Sequence, residues 1–156
     1  MQILRTAALL AVCLLLMPPV SLAVDTDDDP AAAELDPDYA AGKKAIEAKD
    51  WNAAIKSLSS AALRDTRNAD LQNYLGYAYR NSGQMELAFK HYGRALQLNP
   101  RHRGAHEYVG EAYLIINNLA KAEEHLAALQ NICLIPCEEY EDLRKQIDTY
   151  RKRAGK

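Results

Sequence analysis

At 156 residues the chain has room for one domain, and 49% apolar with 26% charged residues is the balance of an ordinary folded protein. A formal charge of -2, with no groove of basic and aromatic residues in the central region, argues against a nucleic-acid partner. The charge is uneven: residues 24–38 carry seven acids and no base, and residues 144–156 carry six bases against Asp148.

The first predicted element is a targeting segment over residues 1–23. Arg5 supplies a short positive start, Thr6 to Met17 an apolar run, and Pro18 and Pro19 end any helix ahead of Ser21-Leu22-Ala23. Small residues at that spacing suit cleavage before Val24, and the apolar run is shorter than the roughly 20 residues that span a bilayer. The alternative is an uncleaved anchor, since the stretch extends to Val24 across the prolines. Val12 before Cys13 is not the small residue a lipoprotein site needs. Cleavage predicts an exported chain, periplasmic in a bacterium with two membranes, with no stable membrane insertion afterwards.

Residues 24–35 have too few large apolar side chains to bury and read as an acidic, disordered leader. Structure is expected from Asp36, as N-cap, with Pro37 at the first helical position.

From there the chain repeats. Gly42, Gly76 and Gly110 lie 34 residues apart, as do Ala54, Ala88 and Ala122; Ala45, Tyr79 and Tyr113 keep the same step, followed by Leu58, Tyr92 and Leu126. In the middle copy Leu71, Leu75, Ala78 and Tyr79 form one face of a first helix, and Leu87, Ala88, Phe89, Tyr92, Ala95 and Leu96 one face of a second. Asn81-Ser82-Gly83 ends the first and reverses the chain. Each period is therefore a helix-turn-helix unit, and the glycines and alanines let helices approach closely.

These residues resemble the tetratricopeptide repeat family. The middle copy carries the family's pattern at Leu75, Gly76, Tyr79, Gly83, Ala88, Tyr92, Ala95 and Pro100. The first copy departs at Ala41, Ala45 and Thr66, and the third has Asn117 in place of the turn glycine. The resemblance implies an all-α, right-handed α-solenoid with repeats at about 35–68, 69–102 and 103–136. A solenoid leaves its last repeat open, and residues 137–153 supply a capping helix whose Tyr140, Leu143, Ile147 and Tyr150 form one apolar stripe. Acids crowd the start of that helix and bases its end, as the helix dipole favours. Seven helices are expected.

The family binds peptides in a concave groove lined by the first helix of each repeat. By resemblance the groove positions here are Tyr39, Lys43, Asn73, Tyr77, Asn81, Glu107, Tyr108 and Glu111. Tyrosine and asparagine side chains suit ring contacts and hydrogen bonds to a peptide; alternatively these residues form only a solvated inner face. The subtype that clamps a C-terminal carboxylate needs positive charge where Glu107 and Glu111 stand, so a basic or neutral segment fits better. Lys43 and Arg80 leave the first half of the groove amphoteric.

Cys133 and Cys137 remain after cleavage. In an exported chain the pair is expected as a disulfide around Pro136, closing a short loop worth about 2 kcal/mol. Redox or metal use of the pair, or two free thiols, are the alternatives. His102 and His106 are spaced to share a helix face but lack a third ligand at matching spacing, and His91 and His125 are expected as surface or lightly packed residues. No nucleophile elbow, phosphate loop or zinc-protease pattern is present, so no catalytic residue, metal or cofactor is predicted. The function expected is an exported protein-interaction module, a scaffold or assembly factor; the alternative is a redox or metal-handling protein that uses the cysteine pair.

Overall fold

The computed structural model describes residues 36–155; the expected targeting segment, residues 1–23, and the expected leader, residues 24–35, lie outside the described residues. Seven helices follow one another: α1 (Pro37–Glu47), α2 (Trp51–Arg64), α3 (Ala69–Asn81), α4 (Met85–Leu98), α5 (Arg103–Ile115), α6 (Leu119–Ile132) and α7 (Glu138–Arg153). They pack as three helix-turn-helix pairs, α1 with α2, α3 with α4 and α5 with α6, and α7 lies against both α5 and α6. The fold is all-α, with the pairs stacked side by side as the 34-residue period predicts.

Helix boundaries follow from local chemistry. The Asp36 carboxylate accepts from the backbone N–H groups of Asp38 (2.8 Å) and Tyr39 (3.1 Å), with Pro37 behind it. Asp50, Asn68 and Asn118 accept in the same way at the starts of α2, α3 and α6. The three turns inside the pairs are copies of one another. Lys49, Gly83 and Asn117, again 34 residues apart, hold φ of 57°, 81° and 60°. In each, the next residue's N–H returns to a carbonyl five positions back: Asp50 to Ala45, Gln84 to Tyr79, Asn118 to Tyr113. The left-handed residue is thus required by the turn, and only the middle copy fills it with glycine.

Three core clusters fill the spaces between helices. Leu58, Leu71 and Leu75 anchor the first, Tyr92 and Val109 the second, Leu129, Leu143 and Ile147 the third. Tyr79 packs against the first and second, and Tyr113 against the second and third, so equivalent tyrosines join neighbouring repeats. A Cβ on Gly42 would lie 2.5 Å from Leu58, and one on Gly76 2.5 Å from Tyr92, each on the second helix of its own pair. In the third copy the corresponding contact is different: a Cβ on Gly110 would meet Leu143 of α7, also at 2.5 Å. The capping helix therefore presses directly on the last repeat's glycine, and Leu143 and Ile147 are buried there.

Between α6 and α7 the chain turns through a Cys133–Cys137 disulfide, with the Cα atoms 5.9 Å apart. That separation is ordinary for a bridge. It places Leu134 and Ile135, both strongly exposed, at the tip of the turn.

Of the two expectations for His91 and His125, surface or lightly packed, the structure shows the packed one. His91 is half-buried, stacked 5.1 Å from the Tyr79 ring and hydrogen-bonded to Gln72 Oε1 at 2.9 Å. Its equivalent, His125, stacks on Tyr113 at 5.7 Å and meets His106 Nδ1 to Nδ1 at 2.9 Å. Each is a packing partner of a bridging tyrosine and not a surface residue. His102 and His106 do not converge: the His102 ring caps α5, accepting from Ala105 N–H and contacting Asp70 at 2.9 Å, while His106 reaches His125 and the Pro100 carbonyl.

Candidate peptide-binding groove

The first helices of the pairs, α1, α3 and α5, stand next to one another. At the centre of the face they share is Arg80. Its guanidinium lies 5.2 Å from the Tyr77 ring and 5.4 Å from the Tyr108 ring, and it pairs with the Glu111 carboxylate. Tyr77 and Tyr108 approach to 4.9 Å between ring centroids, and Trp51 meets Tyr77 edge-on at 6.1 Å. The Arg80 side chain is 9% exposed and that of Glu111 20%, so this is a partly desolvated ion pair held between aromatic faces. A shelf of three rings results, rigid because the cation between two of them is itself fixed.

On one side of the shelf a cleft of about 540 Å³ opens between α3, α5 and the start of α7. Asn73, Tyr74, Glu107, Tyr108, Glu138 and Asp142 are among its lining residues. Two further acids at its border have partners: Asp70 takes the Nε2 proton of His102, whose Nδ1 is committed to the helix cap, and Glu139 lies 3.4 Å from Arg103. Glu107 has no such partner among the described residues. Burial, and then the negative charges of Glu111, Asp142 and Glu139, push its carboxyl up to about 8. Asn73 is 5% exposed, and its Oδ1 is buried without a hydrogen-bond partner.

On the other side a second cleft, of about 370 Å³, is lined by Arg80, Asn81, Glu111, Ile115 and Tyr150 with neighbouring residues. Here Asn81 is exposed and donates its amide to the Tyr77 carbonyl at 2.9 Å.

The eight groove positions read from the sequence thus fall into separate neighbourhoods. Tyr77, Tyr108 and Glu111 meet around Arg80; Asn73 and Glu107 share the first cleft; Asn81 borders the second. Lys43 sits apart, its ammonium 5.6 Å over the Tyr39 ring. Tyr39 itself does not open onto the groove. It is 6% exposed, in the first core cluster, with Tyr74 of the next repeat packed edge-on at 5.9 Å. The neighbouring repeat covers the first repeat's tyrosine, which the single-repeat pattern does not foresee.

Four residues beyond those eight help build the site. Arg80 is legible as a charge but not as the centre of the shelf. Trp51 comes from a second helix, α2, and Asp142 from the cap. Tyr74 has a visible sign, since Tyr74 and Tyr108 are themselves 34 residues apart.

The family model described as "Tetratricopeptide repeat" matches residues 69–102, the stretch holding α3 and α4. That stretch is similar in sequence to a tetratricopeptide repeat. Protein O-mannosyl-transferase TMTC3 of Homo sapiens is 31% identical over 93 residues, covering 58% of this chain. The match takes in 10% of that relative, so the chain spans about a tenth of the curated proteins it resembles. Among solved structures, the type III secretion translocator chaperone SycD of Yersinia enterocolitica is similar with a TM-score of 0.69 at 17% identity, over 80% of this chain and 88% of that one. PcrH, solved in complex with the chaperone binding region of PopD, gives 0.68 at 18% identity over 79% and 95%. At such identities the likeness carries the tetratricopeptide fold: paired helices closed by a last helix.

Proposed function

We propose that the chain is an exported protein-interaction module that takes a neutral or basic segment of a partner protein along the face shared by α1, α3 and α5. One observation carries the reading: the Trp51–Tyr77–Tyr108 shelf, held around the Arg80–Glu111 pair, has a polar cleft on one side and a mixed one on the other. Fixed aromatic faces give contact area at little entropic cost, and the clefts beside them accept side chains. PcrH engages a region of a partner protein on a backbone of the same fold, which supports a peptide as the occupant. Export rests on the pattern of residues 1–23, and a role as scaffold or assembly factor follows from a binding face without catalytic residues.

The test is selection of displayed peptides on the full chain, followed by variants. Tyr77→Ala with Asn81→Ala removes the middle of the face and is expected to weaken a selected peptide by roughly 30-fold or more, the size of an interface hot spot of about 2 kcal/mol. Cys133→Ser with Cys137→Ser opens the α6–α7 turn and should lower the melting temperature while sparing the peptide. If the cysteine variant loses the peptide and the groove variant keeps it, the redox or metal-handling alternative becomes the better account.

A further inference from the structure

The cleft beside the shelf has a charge pattern that the aromatic face does not explain. Of its acids, Asp70 and Glu139 are paired with His102 and Arg103. Glu107, Glu138 and Asp142, from two different helices, line the same space without an ion-pair partner among the described residues. Deeper in the cleft wall is Asn73, 95% buried, whose Oδ1 lacks a hydrogen bond. A buried acceptor with nothing to accept from is costly, and so is a half-buried acid that feels other acids without a paired cation to offset them. Both costs disappear if a cation with several N–H donors enters.

We infer that this cleft is the subsite for one arginine side chain of the bound segment, gripped by Glu107 and Asp142, hydrogen-bonded by Asn73 Oδ1, and flanked by the Tyr74 and Tyr108 rings. The inference rests on the peptide-binding reading above and names the side chain that reading leaves open. A metal ion is the poorer occupant, because among the described residues no three His, Cys, Asp or Glu side chains stand close enough to hold one. Separated acceptors suit a planar guanidinium, whose five donors point in different directions, better than a compact ion. The space, about 540 Å³, admits a long side chain, and two tyrosines are among its lining residues, where a cation can meet aromatic surface. Tyr108 belongs both to this cleft and to the shelf, 4.9 Å from Tyr77, so a segment on the shelf is already at the cleft's mouth.

Proton linkage gives the site a signature. Glu107 faces Glu111 on its own helix, Asp142 and Glu139 on α7, and Arg80 on α3; burial and the three acids raise its carboxyl to about 8, against the opposing pull of Arg80. Arginine stays charged throughout, so its binding must ionise Glu107 and should tighten as pH rises from 7 to 9.

The experiment titrates the isotope-labelled full chain with Nα-acetyl-arginine N-methylamide and follows amide signals by NMR. The arginine probe is expected to shift the Asn73 side-chain amide and the backbone N–H of Gly104, whose Cβ, were one present, would lie 3.2 Å from Asn73 Nδ2. The neutral citrulline analogue should bind at least 10-fold more weakly. Glu107→Gln with Asp142→Asn should cut arginine affinity at least 10-fold and abolish its rise with pH, whereas Glu123→Gln on α6 should change neither. Asp142→Asn alone, at an exposed position, repeats the test with no threat to folding. Equal binding of citrulline, unchanged arginine affinity in the variants, or the same shifts produced by calcium chloride at equal concentration would each overturn the subsite. Displayed peptides selected without arginine would overturn it while leaving the groove intact. Failure to select any peptide would count against the groove alone, the arginine titration still deciding the cleft.

Discussion

Replacing Gly76 by alanine adds one methyl group at the tightest point between α3 and α4. The new Cβ would stand 2.5, 2.6 and 2.9 Å from Cδ1, Cε1 and Cγ of Tyr92. Comfortable carbon–carbon contact begins near 3.5 Å, so the ring or the helix must retreat by about 1 Å. Tyr92 has nowhere to go: it is fully buried, with Ala88, Val109 and Ala112 around it. Overpacking of this kind costs about 1 to 3 kcal/mol. Alanine's better helix propensity returns about 1 kcal/mol, so the net loss should be about 0 to 2 kcal/mol. Gly93, on α4, is the control, because a Cβ there meets nothing within 4 Å and only the propensity gain remains. Urea denaturation followed by circular dichroism should therefore separate the two variants by the overpacking cost, about 1 to 3 kcal/mol, with unchanged m-values. A Gly76→Ala protein as stable as Gly93→Ala would refute the close approach, and with it the register of the middle repeat.

Lys49 holds a left-handed backbone that glycine adopts freely, so Lys49→Gly should stabilise the chain by about 1 kcal/mol, read as a rise in melting temperature. The equivalent change at Gly83, to lysine, should lower it. Burial, with His106 beside it, depresses His125 to about 4, against 6.5 for a free imidazole. The unfolded chain takes up that proton first, so the contribution is full above pH 6.5 and is lost as pH falls from 6.5 toward 4. Allowing for screening at a half-buried site, the loss is on the order of 1 kcal/mol, and His125→Gln should flatten that part of the stability profile relative to the parent. The raised carboxyl of Glu107 works in the opposite direction, which is why the comparison is made between variant and parent. For export, mass spectrometry of the protein recovered from the cell envelope should find Val24 at the N-terminus; intact Met1 on a cytoplasmic protein would refute it.

What the sequence determined by itself was everything that repeats or is local. The 34-residue step, the pairing of helices, the cap at Asp36, and the apolar stripe of the last helix all depend on contacts within a few turns, or on one contact copied in each unit. Such signals survive in a single chain because each copy restates them. The groove was legible only in outline: α1, α3 and α5 could be named, and Tyr77, Tyr108 and Glu111 do come together. The tertiary structure alone decided that Arg80 sits between Tyr77 and Tyr108, that Tyr74 covers Tyr39, that Trp51 reaches Tyr77 from a second helix, and that His106 meets His125. It also decided that α7 brings Leu143 to Gly110 and Asp142 to the cleft of Glu107. These contacts join residues on different helices, and whether they form depends on the angle at which one pair stacks on the next and on the rotamers that angle permits. Periodicity says which face a residue occupies; it carries no information about which neighbour that face will meet.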